Sequence, residues 1–285
     1  MVEKSLSDIV IGIKGGGEMA SAVAWRLYMA NFRNLFMMEA PDPVAVRRRV
    51  SFCEAVHDGT QTVEKVTGIR AQDADQVQVA WQTWRIPVLV DPKWTMIDRL
   101  EPDVVIDAIL AKKNLGTNRG EARLVIGLGP GFFAGEDVHL VIETNRGHHL
   151  GRIITSGTAA PNTGVPGSIG GYTRQRILRS PDAGRFVSFG DIGDRVKAGE
   201  LVGTVEKANV RAEIDGILRG LIRTGTDVSK GLKIGDIDPR DDIGYCLTIS
   251  DKARAIGGSV LEAVLRTFIA PRPFLESKSN RESRI

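Results

Sequence analysis

At 285 residues with 42% hydrophobic composition, the chain is long enough to bury more than one core, and its length favours two or three domains. The 38 basic and 35 acidic residues nearly cancel, so the charge gives no indication of a nucleic-acid partner. No apolar run approaches the length of a membrane span, and the two widely separated cysteines argue against a disulfide framework or a zinc ribbon. We therefore expect a cytoplasmic protein with neither a nucleic-acid partner nor a membrane partner.

The first predicted domain, residues 1–112, begins with a short strand, a glycine turn and a helix. The turn fits the pattern G-x-G-x-x-A through Gly15, Gly17 and Ala20, which lets a backbone approach a pyrophosphate at a helix N-terminus. The second strand ends about twenty residues later in Glu39, where a carboxylate can bond ribose hydroxyls. These residues predict a nucleotide-binding site.

Two further features of this domain bear on that prediction. Glu18 places a carboxylate where a pyrophosphate would lie. Either this carboxylate only interacts favourably with the positive end of the helix dipole, or the ligand is not a conventional dinucleotide. Three adjacent cations at positions 47–49 cannot all share one face, and one or two of them, Arg48 among them, can meet a phosphate.

Residues 62–107 continue the alternation of strands and helices, with residues 62–71 taken as one strand, which predicts a parallel sheet. Asp91 and Asp107 end two of these strands, on the side where open α/β sheets bind ligands. For Asp91, capping of the following helix is the favoured role.

The central predicted segment, residues 113–180, contains a second glycine-rich turn with Gly129 and Gly131 after a strand, which can cradle an anion. It ends in a long loop, residues 156–171, rich in glycine and proline. Loops of this kind inside compact domains are typically lids, binding loops or disordered segments. We expect a ligand cleft in this segment.

A hairpin-like stretch of the same segment concentrates cations: Arg146, His148, His149 and Arg152. Adjacent histidines in a strand point to opposite faces, and His139 is only a guess for a third ligand, so we predict no metal site. Recognition of an anion by Arg146, His148 and Arg152 is the functional interpretation; solvated surface side chains are the equally weighted alternative.

The third predicted domain, residues 181–250, has short strands between glycine turns and an imperfect repeat, GDIGDRVKAGELVGTVE and LIRTGTDVSKGLKIGDID. The repeat resembles the barrel-sandwich hybrid of biotinyl and lipoyl carriers. Asn209 occupies the position of the modified lysine near the expected hairpin tip, so no biotin or lipoyl attachment is expected. A C-terminal helix over residues 251–269 and a disordered tail over residues 270–285 complete the predicted organisation.

The predicted fold class is therefore α/β, with an N-terminal Rossmann-like parallel sheet and a C-terminal all-β barrel-sandwich hybrid domain of biotinyl/lipoyl type. Long phrases of the chain then point to one family: IKGGGEMAS, RRRVSFCEAVHDG, IPVLVDP, PDVVIDAILAKKNLGT, GLGPGFFAGEDVHLVIETNRGHHLGR and APNTGVPG. Together with the repeat, they resemble the YqeB-type accessory proteins of the selenium-dependent molybdenum hydroxylase system over roughly residues 8–268. Glu18 in place of Asp and Ser21 in place of Thr are small departures that keep the chemistry.

The resemblance implies a role in maturing or inserting the selenium-containing molybdenum cofactor of hydroxylases such as xanthine dehydrogenase. The implied ligand is a molybdopterin cofactor such as the cytosine dinucleotide, and the implied partners are an apo-hydroxylase client and other maturation proteins. No catalytic residue follows from it. Cys53 is either a chalcogen relay or, more simply, a buried structural cysteine.

Two other functions stay open. An NAD(P)-dependent oxidoreductase is supported by the glycine turn and Glu39, and opposed by Glu18. A non-enzymatic scaffold would dock the client hydroxylase through the repeat domain. Homo-oligomerisation is left open, as is whether the protein is an enzyme.

Overall fold

The computed structural model describes residues 5–269. The first half of the chain alternates strands and helices. In chain order these are β1 (Ile11–Lys14), α1 (Glu18–Met29), β2 (Leu35–Glu39), α2 (Ala55–Asp58), β3 (Thr60–Val63), β4 (Val66–Ala71), α3 (Ala74–Gln82), β5 (Ile86–Val90), α4 (Met96–Leu100), β6 (Val104–Asp107), β7 (Leu124–Leu128), β8 (Leu140–Ile142) and β9 (Ile153–Ile154).

These strands form one nine-stranded sheet in the order β3-β4-β5-β2-β1-β6-β7-β8-β9. The seven strands from β4 to β8 in that order are parallel. The two edge strands, β3 and β9, pair antiparallel with their neighbours. The sheet is therefore mixed.

The predicted Rossmann-like parallel sheet is wrong in this respect. In the usual dinucleotide-binding order, the third parallel strand of the chain lies beside the second. Here β5 lies between β2 and β4, and antiparallel strands close both edges. Part of the reason is that residues 60–71 form a hairpin rather than one strand, turning at Glu64 and Lys65, both with positive φ.

Alternating strand residues fill two cores, one on each face of the sheet, as the period of two in a strand requires. Ile11 and Ile13 of β1 face the core that α1 covers. Phe36 and Met38 of β2 face the opposite core, with residues of α3 and α4. Burial on both faces explains why these strands read as continuous apolar runs.

The second half is built from short strands and two further helices. In chain order these are β10 (Ile177–Arg179), β11 (Gly184–Ser188), β12 (Arg195–Val196), β13 (Leu201–Val205), β14 (Ala208–Arg211), β15 (Gly216–Leu221), β16 (Asp227–Val228), β17 (Lys233–Asp238), α5 (Gly244–Leu247) and α6 (Asp251–Phe268). The strands form two antiparallel four-stranded sheets, β10-β17-β15-β12 and β14-β13-β11-β16.

The predicted fold class is corrected to a mixed nine-stranded sheet with two antiparallel sheets, and the biotinyl/lipoyl assignment is withdrawn. β10, from the predicted central segment, pairs with β17 and completes the first antiparallel sheet. Asn209 pairs with Thr204 inside the β13–β14 hairpin, whose tip is Glu206 and Lys207. Asn209 therefore does not occupy a hairpin tip.

Helix α6 returns to the first half of the molecule. It begins after Ser250, whose hydroxyl accepts a hydrogen bond from the Ala253 backbone at 3.3 Å. Its buried face, with Ile256, Val260 and Val264, joins the core beneath α1. Within residues 5–269, no helix combines the length and apolar character needed to cross a membrane. The predicted disordered tail, residues 270–285, lies outside the described residues.

Candidate functional site

The glycine turn between β1 and α1 packs against the protein's own chain. Gly15 has φ +93°, a conformation that favours glycine. A Cβ on Gly16 would lie 2.9 Å from the Cys53 Cβ, so the segment with Cys53 covers the turn. At Gly17 a Cβ would meet nothing within 4 Å. Ala20 is fully buried in the core. The turn is open only at Gly17.

Glu39 is held by this turn. Its carboxylate accepts hydrogen bonds from the Gly16 backbone N–H at 2.7 Å and the Ala40 backbone N–H at 2.8 Å. Burial raises the pKa of Glu39, and these two bonds partly oppose that rise. Each carboxylate oxygen accepts a hydrogen bond from one of these backbone N–H groups, so the carboxylate holds the turn in place. A ribose hydroxyl would have to compete with both bonds.

Glu18 also has protein partners. It accepts a hydrogen bond from the Ser250 hydroxyl at 2.8 Å and pairs with Arg47 at 3.2 Å. The buried Arg47 guanidinium donates further bonds to the carbonyls of Tyr245 and Thr248. Glu18 therefore links the start of α1 to the chain just before α6. This supports the interpretation in which it is a structural acid at a helix start.

Sequence reasoning missed a buried charged cluster at the carboxyl end of the central strands. Lys14 is fully buried, and its Nζ lies 2.8 Å from Thr117 Oγ1 and 2.7 Å from Glu121 Oε2. The ammonium lies 3.7 Å from the centroid of a Trp94 ring, within the range of a cation–π contact. Thr117 in turn donates to Asp107 at 2.7 Å. A lysine that ends the apolar run IGIK was the available signal.

Desolvation lowers the pKa of Lys14, while the hydrogen bond and the charge of Glu121 oppose that shift. The cluster is closed, because the ammonium already meets a hydroxyl, a carboxylate and an aromatic ring. Asp91, at the end of β5, accepts from the Met96 backbone at 2.8 Å and so caps α4. Asp91 and Asp107, the acids at the strand ends, therefore bond to neighbouring parts of the chain.

The second glycine turn is equally tight. Gly129 has φ +77° and Gly131 has φ +115°. A Cβ on Gly129 would lie 2.5 Å from Thr144 Oγ1, and one on Gly131 would lie 2.6 Å from the Lys113 backbone nitrogen. These glycines allow two chain segments to approach closely. Their packing against protein accounts for them without a ligand.

Two of the three arginines predicted to bind an anion form ion pairs within the protein. Arg48 pairs with Asp191 at 2.6 Å and also donates to the Leu221 carbonyl at 2.7 Å. Arg146 forms two bonds to Asp251 of α6, at 2.6 and 3.0 Å. That ion pair raises the pKa of Arg146 and lowers the pKa of Asp251 to about 2. Both arginines therefore join distant segments.

A cavity of about 330 Å³ lies beside β9 and contains the third predicted arginine, Arg152. Within residues 5–269, the Arg152 guanidinium forms no ion pair. His149, rather than His148, lines this cavity, together with Glu143 and the hydroxyl-bearing chain at positions 155–158. The rings of the two histidines lie 5.0 Å apart at 78°.

Glu143 forms no ion pair with Arg152, and its oxygens accept from the backbone N–H groups of Asn145 at 2.6 Å and Ala160 at 2.7 Å. These bonds fix the long loop at one wall of the cavity. The arrangement offers one guanidinium, one imidazole and several hydroxyls, a set suited to an anion. In the described part of the chain, no three His, Cys, Asp or Glu side chains converge as a metal site would require. His139 accepts from the Val125 backbone through Nδ1 at 3.0 Å.

No protein-family model matches the chain. It is 48% identical over 256 residues, 90% of this chain, to the uncharacterized protein YqeB of Escherichia coli strain K12. This match supports the resemblance to the YqeB family that the sequence motifs indicate. This chain spans only about half of that relative, 47% of its length, and the relative's name assigns no activity.

Several solved structures are also similar. An aspartoacylase family protein from Mesorhizobium loti is 11% identical, with 71% of this chain and 56% of that chain covered and a TM-score of 0.23. A succinylglutamate desuccinylase/aspartoacylase from Rhodobacter sphaeroides is 14% identical, with coverages of 52% and 61% and a TM-score of 0.23. The product-bound ectoine utilization protein EutE (DoeB) from Ruegeria pomeroyi is 12% identical, with coverages of 80% and 56% and a TM-score of 0.22.

All three are only 11–14% identical to this chain. Their TM-scores are too low to carry an activity or a substrate to this chain.

Proposed function

We propose that this protein is an accessory protein for maturation or insertion of the molybdenum cofactor of selenium-dependent hydroxylases. In this proposal it binds a phosphate-bearing pterin nucleotide, such as the molybdopterin cytosine dinucleotide, and delivers it to an apo-hydroxylase client together with other maturation proteins. The two cysteines, both buried and free, are consistent with the reducing cytoplasm in which we place this step. The similarity to YqeB supports the family on which the proposal rests.

The observation that carries the ligand class is the 330 Å³ cavity with its unpaired arginine, Arg152. Its volume lies at the lower end of the roughly 300–1,000 Å³ typical of small-molecule sites, so it would enclose part of a nucleotide rather than all of it. A guanidinium without a carboxylate partner can form two parallel hydrogen bonds to a phosphate. We therefore propose that the phosphate end of the ligand binds in this cavity.

Native mass spectrometry of freshly purified protein tests the proposal, because it reports a bound nucleotide, a metal or selenium together with the oligomeric state. We expect a mass increment matching a pterin nucleotide. Arg152→Gln should reduce that occupancy about tenfold or more, the usual effect of losing a charge-assisted hydrogen bond. Arg146→Gln is the matched control on the same hairpin, because Asp251 already engages that guanidinium.

Retained occupancy in Arg152→Gln, or loss in Arg146→Gln alone, would contradict this placement. Binding of NAD(H) instead of a pterin nucleotide would favour the oxidoreductase alternative. That alternative is weakened by Glu39, since the carboxylate needed for a ribose already bonds Gly16 and Ala40.

A scaffold role that docks the client hydroxylase has one specific observation in its favour. Val187 and Phe189 lie two residues apart on and beside β11, and their side chains are 42% and 59% exposed. Contiguous exposed apolar surface can mark a protein contact. Phe189→Asp should abolish capture of the apo-hydroxylase if this role is correct, whereas Val79→Asp, at an exposed apolar position on α3, should not.

A further inference from the structure

A larger cavity, of about 500 Å³, lies in the second half of the molecule and shares no lining residue with the first. Its walls come from the long loop at positions 164–166, from β10 with the turn before it, and from β14 with the chain just after it. Ile177, Leu178 and Val210 are buried beneath it. The cavity thus has an apolar base and a polar rim.

The charge of this cavity is strongly unbalanced. Arg174, Arg179 and Arg211 line it, and Glu213 is the one carboxylate in its lining. Three guanidinium groups around one cavity repel one another, and an anion bound between them removes that repulsion. The lining therefore favours a ligand with more than one negative charge.

Most arginines in this part of the chain have a carboxylate partner, so arginines without one are the exception. Between positions 174 and 254, six arginines form ion pairs with carboxylates: Arg176, Arg195, Arg219, Arg223, Arg240 and Arg254. Within residues 5–269 four arginines of this range form none: Arg174, Arg179, Arg185 and Arg211. Three of these four line the same cavity.

Two of the three are held in place without being neutralised. Arg179 donates through Nη1 to the Gly231 carbonyl at 2.9 Å, and Arg211 donates through Nη1 to the Gly199 carbonyl at 2.8 Å. A guanidinium has five N–H donors, so each keeps donors for a ligand. A carbonyl orients the group but leaves its full positive charge. All three guanidinium groups lie at the exposed rim of the cavity, where a ligand in solution can reach them.

We propose that this cavity binds a small phosphorylated molecule, whose phosphate is held by Arg174, Arg179 and Arg211. Planar guanidinium groups match the geometry of phosphate oxygens. Glu213 and the Asn209 amide then meet hydrogen-bond donors on the remainder of the ligand, which the apolar base supports. This site stands apart from the proposed function, because its residues and its position differ from those of the Arg152 cavity.

Isothermal titration of the full chain with inorganic phosphate, cytidine monophosphate and cytidine, at fixed ionic strength, tests the proposal. Cytidine monophosphate and inorganic phosphate should bind, the former more tightly, while uncharged cytidine should not. Arg174→Gln and Arg211→Gln should each weaken phosphate binding about tenfold or more. Arg185→Gln is the matched control, because this unpaired arginine donates to the Gly225 carbonyl at 3.0 Å but does not line the cavity.

The titrations are repeated in Arg152→Gln protein, so that binding in the other cavity is separated from binding here. Affinity that persists in that background and falls with Arg211→Gln supports the site, whatever the outcome for the pterin nucleotide. The proposal is overturned if no saturable binding of phosphate or cytidine monophosphate occurs at millimolar concentrations. It is also overturned if Arg185→Gln weakens binding as much as Arg211→Gln, or if cytidine binds as well as its monophosphate.

Discussion

Replacing Lys14 by methionine tests whether the buried charged cluster at the carboxyl end of the central strands stabilises the fold. Methionine keeps most of the aliphatic volume but removes the ammonium, which lies 2.8 Å from Thr117 Oγ1 and 2.7 Å from Glu121 Oε2. Removing one partner of a buried ion pair typically costs about 3–5 kcal/mol, because the other charge stays buried and unpaired. The Glu121 side chain is 12% exposed, so some water reaches it and we expect the lower end, about 3 kcal/mol.

That loss is large against a typical total of about 5–15 kcal/mol for a folded protein. In urea, with a slope near the upper end of about 1–3 kcal/mol per molar, it moves the unfolding midpoint down by about 1 M. Tryptophan fluorescence and circular dichroism measure the midpoint, and Trp94, stacked on the Lys14 ammonium, reports on the cluster.

A second substitution separates lost pairing from lost packing. Lys14→Met combined with Glu121→Gln removes both charges, so the double variant should recover most of the lost stability. Lys197→Met is the control, since that lysine pairs with Asp215 on the exposed surface and its loss should leave the midpoint nearly unchanged. A Lys14→Met midpoint equal to that of the parent, or a double variant no more stable than the single one, would refute the reasoning.

The pH dependence of stability follows from the same burial. Because desolvation holds the pKa of Lys14 below 10.5, the unfolded chain binds more protons than the folded one between the folded pKa and 10.5. The contribution of Lys14 to the free energy of unfolding therefore rises with pH across that window. Desolvation also lowers the pKa of Lys233 and the pKa of Lys252, which contribute with the same sign. Urea midpoints measured from pH 8 upwards should therefore rise less steeply in Lys14→Met than in the parent.

Three further substitutions test packing and charge around α6. Gly258→Ala should stabilise the protein by about 0.5–1 kcal/mol in thermal unfolding, because a Cβ there meets nothing within 4 Å and alanine favours helix. Gly257→Ala should instead destabilise by about 1–3 kcal/mol, since its Cβ would lie 3.0 Å from the Ala22 carbonyl oxygen of α1; equal stability of the two variants would contradict this packing. Asp251→Asn should cost less than about 1 kcal/mol at pH 7, a figure discounted for the exposure of this ion pair. The difference should disappear as the pH falls from about 3.8 to about 2, as a lowered carboxyl pKa requires, and urea midpoints at both pH values measure it.

Local patterns predicted the elements of the chain better than their arrangement. The strand, glycine turn and helix at the start correspond to β1, Gly15 to Gly17 and α1, because burial and turn chemistry are encoded within a few residues. The hairpin of β3 and β4 was missed because Glu64 and Lys65 adopt positive φ without the glycine or asparagine that usually marks such a turn. The position of β5 between β2 and β4 depends on pairing between distant strands, which no local pattern specifies.

The candidate site differed from the prediction for a related physical reason. Sequence identifies where cations are concentrated, but their charge is available to a ligand only if no carboxylate elsewhere in the chain reaches them. Arg146 meets Asp251 across 105 positions, and Arg48 meets Asp191 across 143. Such partners cannot be found from spacing.

The distribution of ion pairs gives the arginines two different roles. Some arginines, such as Arg47 with Glu18 and Arg223 with Glu54, are matched by carboxylates and join distant segments. Burial makes each such pair costly to break, so these contacts specify how the segments meet. The cations that line the two cavities lack such partners within residues 5–269 while retaining their charge. In both proposals a ligand anion is the missing partner, and the variants Arg152→Gln and Arg211→Gln are therefore expected to change binding without weakening the fold.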